Sequence, residues 1–179
     1  MSDPATTTGT VEIPAEGGYR IDPEHSTISF VTRHVFGLAP VRGTFSLAEG
    51  HIEVAEPLSA SSARATIPAA SVDTRNAARD TTVRSAQYLD AENHPHIGFV
   101  STGLSHGDGG WVLNGELTVR GVTRPLAVRV ERASAGGGTL RLRASAEVDR
   151  YAFGITAMKG MTGRRLTMTL AVTAVRSPE

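Results

Sequence analysis

Cysteine is absent from the 179-residue chain, which excludes thiol catalysis, zinc–thiolate centres and disulfide scaffolds. Aromatic residues are few, five Phe, three Tyr and one Trp, so a core built here leans on smaller side chains. An excess of charge is also missing: 18 Lys and Arg stand against 18 Asp and Glu, without the basic surplus typical of a nucleic-acid binder. No stretch approaches the roughly 20 apolar residues of a membrane-spanning helix. The start, Met1-Ser2-Asp3-Pro4-Ala5, carries an acid and no apolar run, unlike a secretory signal, so a cytoplasmic location is expected. Lysine is reduced to Lys159, and the other 17 bases are Arg. In a chain rich in Ala, Gly and Arg most of these are composition; a few are candidates for bidentate anion contacts.

What is present is period two. Leu140, Leu142, Ala144, Ala146 and Val148 alternate with Arg141, Arg143, Ser145 and Glu147, the pattern of a half-buried antiparallel strand. Leu166, Met168, Leu170, Val172 and Ala174 alternate with threonines in the same way, as do Leu126, Val128 and Val130 with Arg129 and Glu131. Earlier strands are expected over 27–36, 41–47, 51–54, 58–67, 96–104 and 111–120. Glycine-rich turns punctuate them, as at Gly107-Asp108-Gly109-Gly110 and Gly136-Gly137-Gly138. Residues 71–93 break the rhythm and predict one or two short helices, with Asp73 or Thr74 as N-cap. Residues 1–16 read as a flexible tail and 17–179 as one barrel or sandwich domain.

An antiparallel barrel of about eight strands is just wide enough to be filled by side chains or to hold one small ligand. The strand faces lean on Ala, Val and Leu, with Ala144, Ala146, Ala171 and Ala174 near the C-terminus. This favours a hollow apolar barrel; a flattened sandwich with closer sheets is the alternative. Met158, Met161 and Met168 surround a Gly-rich loop and suit an aliphatic tail or a core gap. His94-Pro95-His96 has H-x-H spacing, but the proline sets its two rings without convergence, and no H-E-x-x-H accompanies it, so no metal site is expected. No G-x-S-x-G elbow is present, and no paired carboxylates are identified by spacing. No catalytic residue is assigned. The residues that attract attention are charged pairs at strand ends: His25-Ser26, Arg33-His34, Arg79-Asp80 and Asp149-Arg150. A barrel with an apolar lumen needs a few such groups at its mouth to fix a ligand's head.

In order along the chain, Tyr19-Arg20-Ile21-Asp22-Pro23-Glu24-His25-Ser26, Phe30-x-x-Arg33-His34 and Val41-Arg42-Gly43-x-Phe45 resemble the opening of the YceI-like family. The likeness continues through Ser71-Val72-Asp73-Thr74, Arg79-Asp80, Tyr88-Leu89-Asp90, His94-Pro95-His96-Ile97-Gly98-Phe99, Gly115 to Pro125, and Asp149-Arg150-x-x-Phe153-Gly154. The resemblance implies an all-β fold: an extended eight-stranded antiparallel lipocalin-like barrel with a short helical insert after the fourth strand. It also implies binding, carriage or sequestration of a polyisoprenoid, an isoprenoid quinone or a fatty-acid-like lipid, without catalysis or cofactor, by a homodimer.

Carried over by position, His25, Arg33, His34, Arg79, Asp80 and Arg150 would be the polar set near the ligand's head or holding the insert. Ile28, Phe30, Phe45, Val83, Tyr88, Leu89, Phe99, Leu117, Leu142, Phe153 and Met168 would line the tail. This chain departs from the pattern at Thr82-Val83, where relatives often carry His-Leu, and at Tyr19, often Trp; a histidine at the head is thus missing. An enzyme using His25, His34 or His96 at the same tunnel is the alternative function.

Overall fold

The computed structural model describes residues 10–34, 39–108 and 110–178, without the side chain of His34. It contains β1 (Gly17–Ile21), β2 (Thr27–His34), β3 (Ala39–Phe45), β4 (Glu49–Val54), β5 (Ser62–Pro68), α1 (Ala77–Arg84), β6 (His96–Gly107), β7 (Gly110–Val119), β8 (Val122–Gly136), β9 (Thr139–Asp149) and β10 (Arg165–Arg176). The strands follow the order β1-β4-β5-β6-β7-β8-β9-β10-β2-β3, and β1 also pairs with β10. That last pairing closes β1, β4, β5, β6, β7, β8, β9 and β10 into an eight-stranded antiparallel ring. The all-β, lipocalin-like barrel expected from the sequence is the observed fold.

Two staves of this barrel are each made of two strands. Ile21 of β1 pairs with Ala174 and Thr27 of β2 with Ala171, so β1 and β2 lie end to end along β10. β4 then lies beside β1 and β3 beside β2. The break between β1 and β2 is written in Asp22-Pro23. Asp22 caps the 3-10 turn Pro23–His25, accepting from the Glu24 amide at 3.0 Å, and Pro23 supplies a fixed φ and no donor. Because Gly17–Ile21 is a strand of its own, preceding those read from the sequence, the helical insert follows the fifth strand.

The insert, residues 69–95, closes what the ladder leaves open. β3 pairs along one edge with β2. Its other edge meets the insert through reciprocal bonds between Thr44 and Asp73, both N···O 2.9 Å. Ala69 and Val72, each 1% exposed, anchor the insert in the interior. The cap of α1 is Asn76, which accepts from the Arg79 amide at 3.0 Å, and not Asp73 or Thr74 as expected. Asp73 is occupied by β3 and by the Arg75 amide, and Thr74 by Asp80.

Residues 10–12 also depart from the expected tail. β7 ends its pairing with β8 at Trp111↔Val130, and a register shift follows on β8. Thr10 and Glu12 fill the edge thus freed, exchanging backbone bonds with Ala133 at 3.2 and 2.9 Å. The core gathers in two places. One cluster, around Phe30, Val72, Tyr88, Leu117, Phe153 and Ile155, lies at the end that carries the insert. The other, around Tyr19, Ile21, Val54, Leu140 and Ala174, lies toward the end that carries the β6–β7 and β8–β9 hairpins. Burial of a side chain such as Leu140, 1% exposed, contributes about 2 kcal/mol.

Candidate functional site

The interior between these clusters is lined by the alternating faces of the long strands. Leu140, Ala144 and Ala174 are buried on the inner side, and cross-strand pairing fixes which neighbours share that side: Met168 opposite Ala146, Leu170 opposite Ala144, Val172 opposite Leu142. Leu166, Met168, Leu170, Val172, Leu142 and Ala146 point inward yet are only half-buried. In a core filled to native density such residues would be buried; this row along β9 and β10 is less enclosed than that. Ala171, counted among the apolar face in the sequence, faces outward and is exposed, because it pairs with Thr27 and Arg143 on the outer side.

Glycines set the width of this interior locally. A Cβ at Gly43 would stand 2.8 Å from Phe30 Cε1, and one at Gly115 would stand 2.6 Å from Phe99 Cε2. The tips of the Phe30 and Phe99 rings therefore occupy the space beside these glycines that a side chain would fill.

Nine of the eleven residues expected to line the tail fall in or against the insert-end cluster: Phe30, Phe45, Val83, Tyr88, Leu89, Phe99, Leu117, Phe153 and Met168. Ile28 is buried. Leu142 packs instead against the hairpin-end cluster, because β9 runs the length of the barrel and Leu142 sits near its start. Ala69, Val72, Ile97, Val119 and Ile155 belong to the insert-end cluster and were not expected there. For Ile97 and Val119 the signal was available, since each lies two positions from an assigned inward residue on the same strand.

The polar set behaves differently. Arg150 is 5% exposed, and its guanidinium donates to three backbone carbonyls: Nε to Gly163 at 2.8 Å, Nη1 to Ile155 at 2.9 Å and Nη2 to Thr162 at 3.1 Å. It also lies over Tyr88 and Tyr151, 5.9 and 4.9 Å from the ring centroids. Asp80, 7% exposed, accepts from the Thr74 amide at 2.9 Å and the Thr74 hydroxyl at 2.7 Å, bonds that hold its carboxyl below the ordinary value against the opposing effect of burial. Both therefore hold backbone at the insert end.

His25 sits in the mid-stave turn with its side chain 69% exposed, Nδ1 2.7 Å from Asp22 Oδ2, a bond that lowers the Asp22 pKa. Arg33 is exposed and Arg79 half-buried, and they line two clefts on the outer wall. The side chain of His34 lies outside the described residues.

A latch joins the insert to the β9–β10 connection. Tyr88 Oη lies 3.2 Å from Thr162 Oγ1, and Arg120 Nη1 donates to the Tyr88 carbonyl at 3.3 Å, so the insert, this connection and the β7–β8 turn meet on one residue. The remaining histidines are dispersed. His51 contacts Glu53 at 3.2 Å on the outer wall, His106 meets Trp111 in a tilted pair with centroids 4.5 Å apart, and His94 abuts Gly121. Among the described residues no three His, Asp or Glu side chains gather into a metal-holding group, and no helix is long and apolar enough to cross a membrane.

A closed antiparallel barrel with an apolar, incompletely buried inner face on β9 and β10 and a latched insert at one end places the molecule among lipocalin-like barrels. The chain belongs to the YceI-like domain family, whose model matches residues 19–174. It is 30% identical to a UPF0312 protein of Serratia proteamaculans over 167 residues, 89% of this chain and 86% of that one. It is 31% identical to a UPF0312 protein of Pectobacterium atrosepticum over 166 residues, 88% and 86% of the two chains. Among solved structures it resembles BcnA of Burkholderia cenocepacia, with TM-score 0.73 and 22% identity over 87% of this chain and 99% of that one. It also resembles a polyisoprenoid binding domain from Saccharophagus degradans implicated in plant cell wall breakdown, with TM-score 0.69 and 12% identity over 91% of this chain and all of that one. At these identities the solved structures speak for the fold.

Proposed function

We propose that the protein binds one long apolar amphiphile, a polyisoprenoid, an isoprenoid quinone or a fatty-acid-like lipid, along the barrel axis, and carries or sequesters it. The observation that supports this most is the row of inward yet half-buried aliphatic residues on β9 and β10. One structural neighbour, a polyisoprenoid binding domain, points the same way. At about 25 cal/mol per Å² of buried apolar surface a long tail supplies ample driving force, with loose selectivity for chain type. Arg150 and Asp80 contribute by holding the insert end in shape, so the tail and not the head dominates recognition.

Solvent extraction of the purified protein followed by mass spectrometry tests the reading, together with uptake of a ubiquinone by delipidated protein. A lipid recovered in near-stoichiometric amount is the expected result. Ala146→Trp, which places a large ring in the lumen beside Met168, should lower uptake at least tenfold while the circular dichroism spectrum stays unchanged. Equal uptake by that variant, or an empty extract with no uptake by wild type, would overturn the proposal.

A further inference from the structure

The β9–β10 connection presents apolar side chains to solvent. Met158 is 55% exposed and Met161 42%. Met158 has φ 54°, in the left-handed region that non-glycine residues seldom occupy, and its carbonyl accepts from the amides of Met161 at 3.0 Å and Thr162 at 2.9 Å. The turn is thus built around an exposed thioether.

Cations surround this turn. Lys159 Nζ and the Arg164 guanidinium lie over the Tyr151 ring, 5.3 and 4.7 Å from its centroid. Gly160, Thr162 and Gly163 form one wall of a cleft of about 520 Å³ whose other lining includes Arg33, Arg164 and Arg165. Arg164 is paired with Asp149 at 2.9 Å, and a second acid, exposed Glu147, stands opposite the cleft residue Thr167. Past Val31, which lines both, lies a second cleft of about 770 Å³ lined by Arg42, Arg75, Arg79 and Arg143, with Asp73 at its rim. Arg143 reaches Glu131 at 3.7 Å. In a chain of zero formal net charge, this outer face of β2, β3 and β10 concentrates positive charge.

We infer that this face and the Met158 turn dock the barrel on an anionic phospholipid bilayer. The guanidinium groups meet lipid phosphates, and the two methionines enter the boundary between headgroups and acyl chains. Arginines alone would suit any soluble polyanion; exposed thioethers among them fit a surface that is anionic outside and apolar just beneath. The docking concerns the outer wall and holds whatever fills the lumen.

Co-sedimentation with vesicles tests it. Wild type should pellet with phosphatidylglycerol/phosphatidylcholine vesicles at least fivefold more than with pure phosphatidylcholine, and the difference should shrink in 0.5 M NaCl as the charges are screened. Arg33→Gln/Arg165→Gln and, separately, Met158→Gly should each lower pelleting several-fold; glycine accepts the left-handed backbone, so the second variant keeps the turn. Arg20→Gln/Arg64→Gln, the same charge change on the outer wall of β1 and β5, should bind as wild type does. The lumen-filled Ala146→Trp protein should also dock, which separates this inference from the binding reading. Equal pelleting with neutral and anionic vesicles, no pelleting with either, or equal losses in the control double variant would overturn it.

Discussion

Arg150 and Asp80 stand close in sequence to apolar residues of the insert-end cluster, yet Arg150 directs its polar atoms at backbone and Asp80 its own at the amide and hydroxyl of Thr74. Replacing Arg150 by Met removes three donors from the carbonyls of Gly163, Ile155 and Thr162, and a loss of about 3 kcal/mol in urea unfolding is expected. Asp80→Ala leaves the Thr74 amide and hydroxyl without their buried acceptor and should cost about 2 kcal/mol. The same carboxylate makes stability depend on pH. Asp80 and Asp149 are held below the ordinary value of 3.8, by Thr74 and by Arg164 respectively. The unfolded chain thus takes up protons first as the medium acidifies: their contribution is complete above about pH 4 and drains as pH falls through the lower folded values. Urea midpoints should be level from pH 7 to 5 and fall below pH 4, less steeply in Asp80→Asn. Residue order tells which side chains travel together, and Arg150 was visible on that ground. Which acceptor a guanidinium finds depends on a loop closing over it, and no spacing encodes that.

Strands were the readable elements, because period two is a property of consecutive residues. The alternation of Leu140 to Val148 and of Leu166 to Ala174 maps directly onto β9 and β10. β1 escaped notice for the opposite reason: Gly17-Gly18-Tyr19-Arg20-Ile21 offers only two apolar positions in alternation, behind two glycines. The pairing of residues 10–12 with β8 escaped too, since it depends on where β7 stops and on nothing in the segment itself. The glycines opposite aromatic rings give this level its own test. Gly43→Val puts a branched side chain where the Phe30 ring lies, so it should expel that ring from the insert-end cluster and lower the thermal midpoint by several degrees, read by differential scanning calorimetry. Gly98→Ala, where an added Cβ meets nothing within 4 Å, should change it little.

For the molecule as a whole, closure rests on the last strand. β10 pairs with β9, β2 and β1, joining the chain's two ends across nearly its full length. A chain ending at Arg164 should therefore fail to fold, giving a near-random circular dichroism spectrum and no cooperative melt. Such non-local closure also predicts refolding on the millisecond-to-second scale in stopped-flow measurements. The paired staves add a consequence of another kind. Around most of the ring, neighbouring strands are stitched by continuous ladders, but where β3 faces the insert the described stitching is the Thr44–Asp73 bridge, with Ser71 bonding the Ser46 amide at 3.0 Å. A wall sewn tightly on one side and tacked on the other opens by its tacking. In native-state hydrogen exchange, the Thr44 and Asp73 amides should exchange long before those of β9, marking a door along the flank of the cylinder, by which a chain-like guest could enter sideways without being threaded from an end.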